Sequence, residues 1–169
     1  MTMNQVSLGK RVLFGVVISV LLQAVVVQQV FAAGPVREKL DFPPTGSFDG
    51  ICDFSVGYTI VQNNEYTLTY FDAAGHRVRS LTQGRLVVTF ANASKPSHTM
   101  TLNISGPGWT TYNADGSLTI TFLGRAAIFL DGQIMLSSGR AVVVASDPLA
   151  VGILLLAAGN QSNLCTMLA

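Results

Sequence analysis

The sequence predicts an all-β domain: an antiparallel meander of eight to ten short strands, curled into a closed or nearly closed β-barrel, with a β-sandwich as the alternative. Three observations predict it. From Phe54 onward, apolar residues alternate with polar ones at period two. Turn signals such as Asp115-Gly116 and Asp131-Gly132 punctuate that pattern at short intervals. Two cysteines, Cys52 and Cys165, stand near the two ends of the patterned region.

The elements follow in order. Residues 33–50 hold Pro35, Pro43 and Pro44 with Gly34, Gly46 and Gly50 and show no apolar period, so they read as an extended N-terminal arm. Residues 51–169 form the single β-barrel-like domain. Phe54, Val56, Tyr58 and Ile60 share one side of the first strand, and Asn63-Asn64 makes a turn. Tyr66, Leu68 and Tyr70 share one side of the next, and Asp72–Gly75 turns again. The stretch from His76 to Gln83 is polar on both faces and reads as an edge strand. Leu86, Val88 and Phe90 point inward in the fourth strand, and Ser94–Ser97 breaks it. Met100, Leu102 and Ile104 alternate with Thr101, Asn103 and Ser105, and Gly106–Trp109 interrupts. Two hairpins follow, around Ala114-Asp115-Gly116 and around Asp131-Gly132. Gly139 reads as one more turn. The apolar run from Leu149 to Gly159 reads as a fully buried strand, with Gly152 at a bulge or close approach. A last helical turn is expected at Leu164–Leu168.

Serially adjacent strands with tight turns pair with one another, and a meander this long must curl shut or fold into two sheets to hide its edges. The cysteines bear on that choice. Outside the cytosol, two cysteines in one domain most often pair, the alternative being two free buried thiols. A Cys52–Cys165 bond closes a loop of about 113 residues, worth roughly 4.7 kcal/mol by the chain-entropy account. It brings the two ends of the domain within about 7 Å. That favours the barrel, whose inward side chains would fill the lumen or line a small cavity.

The compartment is read from the N-terminus. Lys10 and Arg11 precede an apolar segment broken only by Ser19, Gln23, Gln28 and Gln29, and Val30-Phe31-Ala32 offers a small-residue exit. These are the parts of a secretory signal peptide, so residues 1–32 are expected to be removed and the protein secreted. The alternative is an N-terminal membrane anchor, because the uncharged stretch from Val12 to Val36 is long enough to span about 30 Å of hydrocarbon.

Composition excludes several functions. Cleavage leaves 137 residues with eight Lys and Arg against nine Asp and Glu, a net charge of about −1. No run of basic charge exists to neutralise phosphates, which argues against nucleic acid as a partner. His76 and His98 are the two histidines, with no ligand spacing between them, so no metal site or cofactor is expected. No G-x-S-x-G elbow is present. The mature chain has two glutamates, Glu38 in the arm and Glu65 beside a turn, too few to build a hydrolytic pair with assurance of geometry. Large aromatics are the remaining candidates. Trp109 and Tyr112 flank a glycine-rich loop, and Tyr58 and Tyr70 lie on strands, so these four are the candidate ligand-binding residues, suited to stacking on sugar rings or packing on an apolar ligand.

Short pieces across the mature chain also carry a resemblance. They are Cys52-Asp53-Phe54, Gly84-Arg85, Asn103-Ile104-Ser105-Gly106, Asp115-Gly116-Ser117, Gly139-Arg140 and Leu164-Cys165. Together they resemble an uncharacterised family of small, secreted, β-rich bacterial proteins. The resemblance implies secretion and a β-rich fold and brings no activity. The function expected from the residues is therefore a secreted non-enzymatic β-domain that binds a small apolar ligand or a cell-surface molecule, with no membrane contact once the signal is removed. Two alternatives stand beside it. One is a small barrel enzyme of cyclase or isomerase type using His98, Tyr58 or Tyr70 as acid or base. The other is a structural cell-envelope protein.

Overall fold

The computed structural model describes residues 34–148 and 150–169. The expected signal peptide, its cleavage point and the alternative anchor lie outside the described residues. Among those that are described, no helix is long and apolar enough to cross a membrane.

In chain order the strands are β1 (Val36–Lys39), β2 (Thr45–Phe48), β3 (Val56–Asn63), β4 (Tyr66–Phe71), β5 (Arg77–Gln83), β6 (Leu86–Asn92), β7 (Lys95–Asn103), β8 (Gly108–Tyr112), β9 (Leu118–Leu130), β10 (Gln133–Ala145) and β11 (Ile153–Asn163). A short helix, α1 (Leu164–Leu168), closes the chain. The strands form two antiparallel sheets, one in the order β1-β4-β5-β8-β9-β10-β11 and one in the order β2-β3-β6-β7. The all-β class holds. Neither sheet closes, so the barrel gives way to the sandwich alternative.

The reason lies in the connections. Asn63-Asn64, expected to turn a hairpin, instead carries the chain from one sheet to the other. The Asn63 side chain accepts from the Glu65 N–H at 2.9 Å and donates to the Leu40 carbonyl at 2.7 Å, which redirects the strand without returning it alongside itself. The next crossing, at Gly84-Arg85, runs against it: the Asn64 N–H donates to the Arg85 carbonyl at 2.8 Å. A Cβ on Gly84 would fall onto the Asn64 carbonyl, so only glycine fits there. Ile104–Pro107 makes a third crossing. The expected arm, 33–50, spans both sheets as edge strands β1 and β2.

The bond between Cys52 and Cys165 is present, with Cα atoms 5.5 Å apart. It does not seal a barrel seam. Cys52 precedes β3 of the four-stranded sheet, and Cys165 lies in α1, after the last strand of the other. The bond therefore crosses the core, among Val56, Val88, Phe90, Ile134, Leu164 and Leu168. Asn163 caps α1 by accepting from the Cys165 N–H at 2.9 Å, and Leu164 and Leu168 are fully buried.

Gly139 makes no turn. It sits mid-strand in β10, opposite Gly124 of β9 and Gly159 of β11, so three glycines form one row across three strands. Gly124 and Gly159 have φ of 85° and 101°, where side chains are strained. A Cβ on Gly139 would fall onto the Ala158 carbonyl. At this row the backbone of Gly124 and Gly159 leaves the extended region, which marks a crease between two halves of the long hairpin. Beyond it, Ala127, Phe129, Ile134 and Leu136 pack on the core shared with the four-stranded sheet. On the opposite face, Ile128, Leu130 and Met135 share a second core with Ala141 and Val143 from the near side of the crease. The Gly152 N–H then donates to the Phe129 carbonyl at 2.9 Å, and a Cβ added there would collide with the Val143 side chain, the close approach expected of that glycine.

Two further expectations are corrected. The polar strand β5 is no edge: β4 and β8 flank it, and its polarity reflects an outward face. The apolar β11 is no buried strand. It is the outermost strand of the seven-stranded sheet, with Ile153 70% and Leu155 61% exposed. β10 covers one of its edges, and among the described residues no strand covers the other.

Candidate functional site

Cross-strand register decides what the seven-stranded sheet shows to solvent. Residues directly opposite in neighbouring strands share a face. One row runs Arg37, Leu68, Leu81, Trp109, Thr121, Val142 and Leu156. The adjoining row on the inward face runs Thr69, Ser80, Thr110, Ile120 and Val143, all buried. The first row therefore lies on the outward face, and none of its residues is fully buried.

On that face the aromatic residues gather. Tyr70 and Trp109 have ring centroids 6.2 Å apart and planes tilted by 31°. Arg79, across from Tyr70, holds its guanidinium 4.7 Å from the Tyr70 centroid and 5.2 Å from that of Trp109. Arg37 lies 3.9 Å over Tyr66, whose hydroxyl accepts from Gln83 at 2.6 Å. Neither arginine makes an ion pair among the described residues. Glu38 is the one acidic residue within the seven strands, and its place opposite Thr67 puts it on the other face. Arg37, Lys39, Arg79 and Arg140 share the outward face with the rings, and Lys39 is paired with Asp41 at 3.1 Å.

A guanidinium stacked over rings is held flat and partly desolvated while its N–H edges remain free. Such a surface can bind carboxylate, sulfate or phosphate groups carried on a ring-containing molecule.

The four aromatic candidates thus divide. Trp109 and Tyr70 come together on the outward face. Tyr112 faces inward, its hydroxyl 3.4 Å from Ser80 Oγ. Tyr58 belongs to the other sheet and stacks on Phe48, with centroids 5.0 Å apart. The proposed acid–base residues do not converge either: His98 Nδ1 lies 3.3 Å from the Leu168 carbonyl, against α1. Sequence reading missed Tyr66, Arg79 and Arg37. The signal was available in part, since Tyr66 and Tyr70 share one side of their strand. The pairing partners of that strand were not readable.

Other features were weighed for chemistry. An open groove of about 350 Å³ lies where β7 meets β9–β11, with polar residues such as Asn103, Arg125 and Asn160 and aliphatic ones such as Leu102, Ile104 and Leu136 in its lining. Ser137 has a buried hydroxyl with no hydrogen-bond partner. Strand alternation points it to the face opposite Leu136 and Ser138, and no base stands by it. Among the described residues no three of His, Cys, Asp or Glu gather to hold a metal.

Glu65 is the perturbed carboxyl. It is 5% exposed at the crossing between sheets, and burial raises its pKa from 4.5 to about 7. No cationic side chain or second carboxyl pairs with it among the described residues, so it reads as a structural strain. The sign of its linkage is definite. Between pH 4.5 and 7 the folded protein keeps a proton that the unfolded chain has lost, so stability falls as pH rises through that window. Glu65→Gln should stabilise the protein by about 2 kcal/mol at pH 8 and leave it nearly unchanged at pH 4. Urea unfolding at the two pH values measures this, and equal effects at both would refute it.

No family model matches the chain, and neither a curated protein nor a solved structure matches it.

Proposed function

We propose that this chain is a secreted, non-enzymatic β-sandwich domain that binds an acidic, ring-bearing surface molecule across the outward face of its seven-stranded sheet. The observation that carries the reading is the Arg79 guanidinium lying over both Tyr70 and Trp109, with Arg37 over Tyr66 further along. An acidic polysaccharide supplies both halves of the matching chemistry. Its sugar rings pack on the half-buried aromatic rings, and its carboxylates accept from the arginines. Within the strands that face carries no acidic side chain, and Asp41, just after β1, is paired with Lys39, so an acidic polymer meets little repulsion there.

Secretion is supported by the disulfide, which fits an oxidising setting, and by the charge-then-apolar pattern of the first 32 residues. A carrier of small apolar ligands draws less support, because no closed sheet encloses a lumen and the groove beside β7 is open to solvent. The enzyme reading is weakened by the separation of His98, Tyr58 and Tyr70 onto different partners.

Trp109 is the chain's single tryptophan, so its fluorescence reports on this face alone. Titration with polygalacturonate should shift or quench its emission, and neutral amylose should not. Arg79→Ala should weaken polygalacturonate binding by roughly tenfold. Equal responses to the acidic and neutral polymers would refute the charge argument. No response to either would remove the site.

A further inference from the structure

We infer that β11 is a homodimerisation edge, which pairs antiparallel with the β11 of a second copy about a twofold axis beside its apolar half, Ile153–Ala157. The inference is independent of the binding face proposed above.

Exposed sheet edges are templates for further pairing, and proteins blunt them with short strands, charge or proline. The other three edges here are blunted. β1 has four residues and carries Arg37, Glu38 and Lys39; β2 has four residues; β7 opens with Lys95-Pro96. β11 has eleven residues, no charge and no proline, and its register departs from regular pairing only at Leu155. No Lys, Arg, Asp or Glu occurs anywhere from Pro148 to the last residue, Ala169. Its backbone N–H and C=O groups on the side away from β10 meet no strand among the described residues. Water meets such a row in the monomer, and an extended segment can replace that water with a continuous ladder of hydrogen bonds.

The side chains agree with the backbone. Val151, Ile153, Leu155 and Leu156 are 51, 70, 61 and 43% exposed, and all four lie within six residues. Leu155 is the extra residue where the β10–β11 register shifts, which thrusts it outward. Together they expose on the order of 400 Å² of apolar surface, as much as a monomer ordinarily carries in one patch. Doubled across a twofold, with the strand backbone added, this reaches the roughly 1,000 Å² that a specific interface needs.

Charge singles out a second copy as the occupant. A twofold antiparallel pairing sets residues near the axis against their own copies, so any charge there would meet its like. An uncharged strand is compatible with itself, and it has no charge with which to select a different partner.

Sedimentation velocity of the purified protein tests this, with Leu155→Lys and Val61→Lys compared. Val61 is 60% exposed on β3, in the other sheet, and serves as the control. The wild-type protein and Val61→Lys should dimerise in the micromolar range, and Leu155→Lys should raise the dissociation constant at least tenfold with an unchanged circular dichroism spectrum. A wild-type monomer at about 100 µM overturns the proposal, because such an interface would be populated there. So does a Leu155→Lys variant that dimerises as well as the wild type, since association would then use another surface. If Leu155→Lys loses its native spectrum, amide hydrogen exchange in the wild type decides. Protection of 153–157 that grows with protein concentration supports the pairing, and protection independent of concentration overturns it.

Discussion

Replacing Cys52 and Cys165 together by serine lowers the free energy of unfolding by about 2–5 kcal/mol, read as a fall in the urea midpoint. Part of the loss is chain entropy, since the bond closes a loop across 113 residues of sequence. The rest is local. The five residues of α1 are far too few to be helical alone. They stay in place through the bond, the Asn163 cap, and the burial of Leu164 and Leu168 against Val56 and Ile134. Without the clasp the helix frays, and the core between the sheets opens at that end. A second tie is weaker: Asn92 donates from its side chain to the Leu168 carbonyl at 3.1 Å. Adding Asn92→Ala to the double serine variant should therefore cost less than it costs in the oxidised protein. A double serine variant within about 0.5 kcal/mol of wild type would mean that helix docking does not depend on the bond.

Substituting Gly159 by alanine costs about 3 kcal/mol, the combined effect of a positive φ and a steric collision. Its Cβ would lie 2.5 Å from the Ser138 carbonyl oxygen and 3.0 Å from Gly139 Cα, both backbone atoms that cannot swing aside. Gly132→Ala provides the comparison. Gly132 has φ of 69° in the β9–β10 turn with nothing near its would-be Cβ, so only the conformational strain applies, about 1 kcal/mol. The difference between the two measures the close approach of strands at the crease. If the two substitutions cost the same, the glycine row is a matter of dihedral preference and the strands do not need the contact. The crease also sets the two halves of one face of the long hairpin to different tasks. Its far half covers the four-stranded sheet, and its near half extends the outward face that carries Trp109.

Much of the strand content was legible. Leu86, Val88 and Phe90 alternate with polar neighbours, and all three are buried in β6. Hairpins at Asp115-Gly116 and Asp131-Gly132 follow from the positive φ that glycine supplies, 85° and 69°. Gly139 was misread because a glycine between two strand-like runs has the same local signature whether the chain turns or continues. What distinguishes the two is the presence of Gly124 and Gly159 across the sheet, a non-local fact. β11 was misread for a related reason. An apolar run predicts burial on average, but an edge strand that meets a partner outside the chain has the same composition.

The candidate site shows the same division. Tyr70 and Trp109 could be named from their type, yet 38 residues of sequence separate them. Nothing local says that β5 lies between their strands and delivers Arg79 over both rings. Periodicity, turn chemistry and cysteine count act over a few residues or through composition. They were enough to determine an all-β chain with a disulfide. The number of sheets, the crease, the exposure of β11 and the meeting of Arg79 with its rings depend on which strands pair. Pairing is settled by contacts between residues far apart in the chain, through the crossings at Asn63–Glu65 and Gly84-Arg85, and so only the tertiary structure decided them.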